Sequence, residues 1–278
     1  MLNPSLLGPF VLMAALATTI TAAPSQELSK YPDWSGIWRG DHGFQWDPTK
    51  RPGLPQQAPL TPEYQKIFED SLKGQEEGSQ GNNVRFTCMP SGMPRTMTVL
   101  FQIEFVITPA ITYLMFSTNN PVRRIYTDGR DWPKDEEPSF TGYSIGKWLD
   151  TDGDGKYDTL EVETRNVKGH RTYESTGLPL HEDNQTVVKE RIYFDKARDR
   201  IIDEITTIDH ALTRPWTVIK PYMREKLGVP WIDLICNENN PHVVIGGQNY
   251  FLSYDGYLMP ARKNQEPPDL RYFNQVRR

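Results

Sequence analysis

Hydrophobic and polar residues alternate with a period of two from Thr98 onward, and β-branched and aromatic residues are frequent there. Such alternation is typical of β-strands with one buried face. Turn signals such as Asn119-Asn120-Pro121 and Asp128-Gly129 separate the runs. The candidate strands are Leu100–Thr108, Thr112–Thr118, Val122–Thr127, Tyr143–Leu149, Thr159–Arg165, Thr186–Phe194, Ile201–Asp209, Trp216–Tyr222 and Trp231–Cys236.

One segment before these strands has the pattern of a helix. It begins at Thr61, whose hydroxyl can cap the helix, and Pro62 occupies the first helical position. Gly74 ends the pattern just before Gln75. The apolar face of this predicted helix is formed by Tyr64, Ile67, Phe68 and Leu72.

The number and spacing of the strands indicate the fold class. Eight or nine short strands separated by turn signals are typical of an antiparallel barrel or sandwich. The segment Asp33 to Gly40, DWSGIWRG, is similar to the first strand of lipocalin-like barrels, in which a Trp closes one end. We therefore predict an all-β protein, an antiparallel lipocalin-like β-barrel with one short N-terminal helix and long loops.

The first residues have a different pattern. The run Leu6 to Ala22 is apolar, and the chain is polar after it, which is typical of a secretory signal peptide with a cut after Ala22 or Ala23. No later segment approaches the roughly 20 apolar residues that a spanning helix needs. We expect a signal peptide at 1–22 and a single β-barrel domain at 23–278, with a loose N-terminal arm and C-terminal tail. The expected location is periplasmic or secreted, without membrane insertion.

Charge excludes two classes of partner. The net charge is −5, and acidic and basic residues are interspersed along the chain. This distribution argues against binding of nucleic acid and of anionic membrane surfaces. Seven Trp, thirteen Tyr and eleven Phe instead supply ring surfaces for an apolar pocket.

The chain has two cysteines, Cys88 and Cys236. In an oxidising compartment we expect one disulfide between them, which closes a long loop and contributes up to about 5 kcal/mol by the loop-entropy estimate. The alternatives are two buried free thiols or a catalytic thiol. No His lies near either cysteine in the sequence.

The stretch from Asp150 to Glu161, DTDGDGKYDTLE, fits the calcium-loop template D-x-[DN]-x-[DN]-G-x5-E. Gly155 falls where the loop must bend, and Lys156 would contribute only its backbone carbonyl. The flanking residues alternate as strands and not as the helices of an EF-hand, so we expect a structural calcium site at the tip of a β-hairpin. The alternatives are a solvated acidic turn and a catalytic metal. The predicted ligands are Asp150, Asp152, Asp154, Lys156, Asp158 and Glu161.

Arginines recur beside aromatic residues on the predicted strands. Arg124 shares a strand face with Tyr126, whereas Arg123 lies on the other face, and Arg214 precedes Trp216. An inward arginine can hold a carboxylate or phenolate ligand bidentately. The candidate ligand-binding residues are Arg124, Arg191, Arg214, Trp216, Tyr143 and Trp148. The alternative is an Arg–Glu pair that braces the barrel.

Three residues are candidates for acid–base chemistry if the protein is an enzyme. Glu104 lies between Ile103 and Phe105 in an apolar strand, and an inward carboxyl would have a raised pKa. His181 lies in the loop before the Thr186 strand, and Tyr126 is the third candidate. No histidine pair has metal-ligand spacing, and the chain contains no HExxH, G-x-S-x-G, Walker A or dinucleotide motif.

Nine short blocks follow one another between Asp33 and Asn239: DWSGIW, CMPSGMPR, FQIEFVITP, RRIYTDGR, GYSIGKW, DTLEVET, VKERI, TRPWT and ICNEN. Together they resemble the blocks of a poorly characterised family of secreted bacterial β-rich, lipocalin-like proteins. The resemblance implies the fold and the compartment but no activity. Two departures matter: the acidic loop replaces a very short turn, which makes calcium a local addition, and Trp132 stands where a His is expected.

Two functions from different classes fit these patterns. The first is a secreted or periplasmic barrel that binds a small, largely apolar molecule with an acidic or hydroxyl group. The second is a cofactor-free isomerase, lyase or hydrolase that acts on such a molecule, with an arginine stabilising an oxyanion. A structural surface protein is a third interpretation, which the interleaving of arginines and aromatic residues disfavours.

Overall fold

The computed structural model describes residues 28–42, 57–84, 88–98, 100–118, 122–169, 172–236, 242–246, 248–253 and 255–268. The predicted signal peptide lies outside the described residues. Among the helices of these ranges, none is long and apolar enough to cross a membrane.

Nine strands form a closed barrel in which each strand pairs with the next along the chain, and β9 pairs with β1. A closed sheet leaves no exposed edge, and its inward side chains form the core. The strands are β1 (Ile37–Gly40), β2 (Gln102–Ile107), β3 (Ile111–Phe116), β4 (Arg123–Tyr126), β5 (Tyr143–Leu149), β6 (Thr159–Arg165), β7 (Val187–Asp195), β8 (Arg200–Ile208) and β9 (Trp216–Arg224).

The prediction of a β-barrel is confirmed, but the prediction that it is antiparallel is wrong at one position. Strands β4 and β5 run parallel, with Ile125 opposite Ser144 and Tyr126 opposite Ile145. Because the barrel has an odd number of strands, a strict alternation of direction cannot close it, and one neighbouring pair must be parallel. The long connection from residue 127 to 142 provides the crossover that a parallel pair needs.

The sequence pattern located most strands well. Strands β5 and β6 have the predicted bounds, and β2, β3, β4, β7, β8 and β9 overlap their predicted ranges. The ninth candidate, Trp231–Cys236, is not a strand, and it contributes an isolated bridge between Thr118 and Leu234. The DWSGIWRG segment instead supplies β1, whose Trp38 is completely buried.

Helix α1 (Pro62–Glu76) confirms the predicted helix. The Thr61 hydroxyl accepts a hydrogen bond from the Tyr64 N–H at 3.4 Å, as expected of an N-cap. Just before the helix, Leu60 bridges to Leu212, and the Thr61 N–H donates to the Ala211 carbonyl at 2.9 Å. These contacts fix the start of α1 beside the turn between β8 and β9.

Two elements had no clear signal in the sequence. Helix α2 (Arg95–Thr98) is a single buried turn between α1 and β2. A second sheet with three antiparallel strands follows the barrel, formed by β10 (His242–Ile245), β11 (Gln248–Leu252) and β12 (Leu258–Pro260).

The predicted disulfide is confirmed. Cys88 and Cys236 are bonded, with their Cα atoms 5.6 Å apart. The bond joins the segment that precedes α2 to the segment that follows β9, so it connects the N-terminal elements to the end of the barrel chain.

Candidate functional site

The barrel interior contains a buried ion pair. Alternation along β4 turns Arg123 inward, where it is 1% exposed. Its Nη1 donates to Oε1 of Glu190 at 2.7 Å, and its Nη2 bonds to the other carboxylate oxygen of Glu190 and to Oγ1 of Thr164 at 3.0 Å. The arginine that faces the interior therefore braces β4 against β7, as the alternative interpretation of the sequence expected.

A second carboxyl group lies beside this pair. Asp203 points inward from β8 and is completely buried, and neither of its oxygens accepts a hydrogen bond from a described residue. Burial and the negative charge of Glu190 raise its pKa well above the ordinary value, although Arg123 acts in the opposite direction. The neutral, protonated form of Asp203 is therefore favoured.

Lys220 also points inward, from the position on β9 that pairs with Asp203. Burial lowers its pKa to about 8, although the charge of Glu174 opposes the shift. Large rings are also buried in the core: Trp216 packs on Tyr173 with centroids 4.5 Å apart, and Trp148, which packs on Trp34, is 6% exposed. Trp148 and Trp216, predicted to line a ligand site, are thus packed core residues.

The expectation that Arg124, Arg191 and Arg214 face the interior is wrong. Because side chains alternate along a strand, an inward Arg123 places Arg124 outside, and an inward Glu190 places Arg191 outside. Arg191 lies over the ring of Tyr193 at 4.7 Å. Arg214 lies in the loop between β8 and β9 and is exposed.

The candidate catalytic residues are not brought together. Glu104 lies on the outward face of β2, where it pairs across the sheet with Ile37 and Met115. Tyr126 lies outside β4 and stacks on Tyr143 at 4.9 Å, so Tyr143 also faces away from the interior. Of the three candidates, His181 is the residue that lines a cleft.

This cleft has a volume of about 580 Å³ and lies between α1, the loops before α2 and before β7, and the second sheet. We call it the α1 cleft. Its apolar lining includes Ile67, Met89, Leu180 and Val244, and its polar lining includes Asn82, Asn83, Thr172, His181, Glu182 and Asn249. Tyr64 of α1 also lines it, 5.7 Å from the His181 ring.

A buried cation lies behind the wall of the α1 cleft. Arg95 of α2 is 2% exposed, and its guanidinium donates to Oγ1 of Thr172 at 2.6 Å and to Oδ1 of Asn83 at 2.9 Å. Because Oγ1 of Thr172 accepts from Arg95, the Thr172 hydroxyl keeps its O–H group to donate to a ligand. The arrangement suits an acceptor, such as a carboxylate.

His181 is held firmly at the edge of the cleft. Its backbone N–H donates to Oδ1 of Asp209 at 2.9 Å, and its Nδ1 lies 3.2 Å from Oδ1 of Asp183. The Asp183 N–H also points at Nδ1, at 3.2 Å. The position of His181 is therefore fixed by main-chain and side-chain bonds.

Sequence reasoning found His181 but missed Arg95, Thr172 and Asn83. These residues are far apart in the chain, and no spacing rule connects them. Arg95 ends the CMPSGMPR block, so this block is the signal in the sequence for the buried cation.

The acidic hairpin loop brings together part of the predicted calcium set. Carboxylate oxygens of Asp150, Asp152 and Asp158 lie within 4.8 Å of one another. The Asp150 carboxylate also accepts N–H groups from Gly153 at 2.7 Å and from Gly155 at 2.9 Å. Both glycines have positive φ, +74° and +86°, which the tight turn requires.

Asp154 and Glu161 do not belong to this group of three carboxylates. Asp154 accepts the Lys156 N–H at 2.8 Å. Glu161 lies within β6, paired with Lys147 and Arg191, on a groove outside the barrel. Calcium binding stays a prediction, and the carboxylates that the fold brings together are those of Asp150, Asp152 and Asp158.

Comparison of the chain with models of known protein families gives no match, and comparison with curated protein sequences gives none either.

Proposed function

We propose that the protein binds a small, largely apolar molecule through a carboxylate or hydroxyl group, and that the α1 cleft is the binding site. The observation that carries the proposal is the pair of hydrogen bonds from Arg95 to Thr172 and Asn83. Arg95 orients the Thr172 hydroxyl as a neutral donor in the wall, with the cation directly behind it. A ligand oxygen can accept this hydrogen bond without the cost of exposing the cation to solvent.

The size of the cleft suits a small molecule. Ligand pockets are typically about 300–1,000 Å³, and the α1 cleft, at about 580 Å³, falls within this range. Its lining combines the apolar side chains of Ile67, Met89 and Leu180 with polar ones that include Asn83 and Thr172. A molecule with an apolar body and a polar group fits such a lining.

A co-purified ligand tests the proposal. The protein is purified from its native host, denatured, and searched for small molecules by mass spectrometry. We expect one acid, phenol or alcohol in near-stoichiometric amount. The proposal fails if nothing co-purifies and a panel of aromatic and aliphatic carboxylates, phenols and alcohols leaves the melting temperature unchanged.

A second candidate is an enzyme of the same architecture, and the position of His181 favours it. The Asp183 N–H donates to Nδ1 of His181 at 3.2 Å, and this bond can orient the imidazole as a general acid or base. An enzyme converts the molecule, at a rate that falls sharply in His181→Ala. A binding protein returns the molecule unchanged. Product analysis after incubation therefore separates the two functions.

We also propose that the chain acts in the periplasm or outside the cell. The Cys88–Cys236 disulfide supports this location, because structural disulfides persist in oxidising compartments. The apolar run before Ala22 supports it independently. N-terminal sequencing of the mature protein tests it, with a first residue of Ala23 or Pro24 expected.

A further inference from the structure

Three side chains with metal-binding groups lie together beside the α1 cleft. The sequence pattern did not indicate that they are neighbours. One ligand atom from each of His181, Asp183 and His210 lies within 4.8 Å of the other two. The Nδ1 of His181 is 3.2 Å from one carboxylate oxygen of Asp183, and the Nδ1 of His210 contacts the other oxygen. The two imidazole rings are 5.5 Å apart and nearly perpendicular, at 83°. We call these residues the His181 cluster.

The register of the barrel creates the cluster. Val187 of β7 pairs with Ile208 of β8, so the residues before β7 lie opposite the residues after β8. His181 and Asp183 therefore come from one loop, and His210 comes from the neighbouring turn. Two separate segments converge on one point.

Hydrogen bonds fix the backbone around the cluster. Asp209 accepts the N–H of His181 at 2.9 Å and the N–H of Ala211 at 2.8 Å, and the Thr186 hydroxyl donates to its second oxygen. Asp209 thus ties the His181 loop to the His210 turn. The Gln185 N–H donates to Oδ1 of Asp183 at 3.0 Å and orients that carboxylate.

We propose that His181, Asp183 and His210 bind one divalent transition-metal ion of the zinc class. Imidazole nitrogen and carboxylate oxygen are the ligands that zinc takes in sites with three protein ligands and an open position. Ligand atoms around tetrahedral zinc are separated by about 3.3–3.5 Å, as bond lengths near 2.0–2.2 Å require. The 3.2 Å separation of His181 and Asp183 is close to this value.

The competing explanation is a hydrogen-bonded His–Asp–His triad without a metal. In that triad, Nδ1 of His181 accepts the Asp183 N–H at 3.2 Å. Metal binding through Nδ1 displaces this bond, because one lone pair cannot serve both. The site adjoins the α1 cleft through His181, but zinc binding does not require a ligand in the cleft. The zinc proposal and the proposed function are therefore tested independently.

Zinc binding by the untagged full chain tests the inference. The protein is treated with a chelator, dialysed, and titrated with Zn²⁺ by isothermal calorimetry near pH 7.5. We expect one equivalent to bind with micromolar or tighter affinity, and Co²⁺ to give the intense visible absorption of a tetrahedral site. His210→Ala and Asp183→Asn should each weaken zinc binding at least 10-fold.

His210 is the informative variant, because its side chain is 67% exposed and its removal does not disturb the core. His42→Ala is the matched control, since His42 packs on Tyr222 far along the chain from the cluster, and it should bind zinc like the wild type. The inference is overturned if the wild type binds no zinc. It is equally overturned if His210→Ala and His42→Ala bind zinc with the same affinity.

Discussion

Arg123 and Glu190 form a bidentate ion pair across the barrel interior, between strands β4 and β7 that are not neighbours. Their side chains are 1% and 0% exposed. Substituting one partner of such a pair destabilises the fold much more than replacing both partners by apolar residues. A single substitution leaves an uncompensated buried charge.

Glu190→Gln should therefore lower the free energy of unfolding by about 3–5 kcal/mol. The double substitution Arg123→Leu with Glu190→Leu should be markedly more stable than Glu190→Gln alone. Urea denaturation measures both. Lys66→Ala, which breaks an exposed pair with Asp70 on α1, serves as a control with little expected effect. Equal stability of the single and double variants would contradict this account of the pair.

Asp203 should make stability fall as the pH rises. Its pKa is raised by burial and by Glu190, so the folded protein binds its proton more tightly than the unfolded chain, whose pKa is near 3.8. This contribution is fully present below the unfolded pKa and is lost as the pH rises through the raised pKa.

Asp203→Asn removes the titration while keeping a neutral group of similar shape. We expect the variant and the wild type to have similar stability in acid, and the variant to be the more stable at alkaline pH. Urea midpoints measured from pH 4 to pH 9 test this. Parallel profiles over the whole range would rule out a raised pKa at Asp203.

Removal of the disulfide should destabilise the protein. The bonded cysteines are 148 residues apart, and a loop of that length is worth up to about 5 kcal/mol by the entropy estimate. Cys88→Ala, Cys236→Ala and reduction of the wild type should all lower the urea midpoint by the same amount. A wild type whose midpoint does not respond to reductant would argue against the bond.

Calcium should stabilise the hairpin between β5 and β6 if the acidic loop binds it. We expect millimolar calcium to raise the melting temperature of metal-free protein, and Asp150→Asn to abolish the rise. Glu161→Gln separates two arrangements: it has no effect if the three clustered aspartates suffice, and it removes the rise if Glu161 moves to complete the loop. Absence of any calcium effect on the wild type would eliminate the site.

Local patterns predicted the elements of this fold well. The bounds of β5 and β6 follow from strict alternation, and α1 follows from its Thr61 cap and Pro62. The odd strand count, and with it the parallel pair β4–β5, depends on how the sheet closes. Alternation along single strands contains no information on that closure.

The candidate sites were harder to predict because they depend on register. Alternation places Glu190 and Arg191 on opposite faces of β7, but it does not show which face is inward. The pairing of Val187 with Ile208 then places His210 against His181 and Asp183. The contacts of Arg95 with Thr172 and Asn83 join loops that no spacing rule connects.

The central claim is that the α1 cleft recognises a ligand oxygen through the Thr172 hydroxyl, which Arg95 orients. The most direct measurement is the affinity of the co-purified molecule, or of the best acid from the panel, for Thr172→Val. Thr206→Val, on the outer face of β8 where Thr206 bonds to Thr217, is the matched control. We predict that Thr172→Val weakens binding about 10-fold, as expected for one hydrogen bond worth about 1.5 kcal/mol, while Thr206→Val binds like the wild type. Equal affinities for the two variants would contradict the claim.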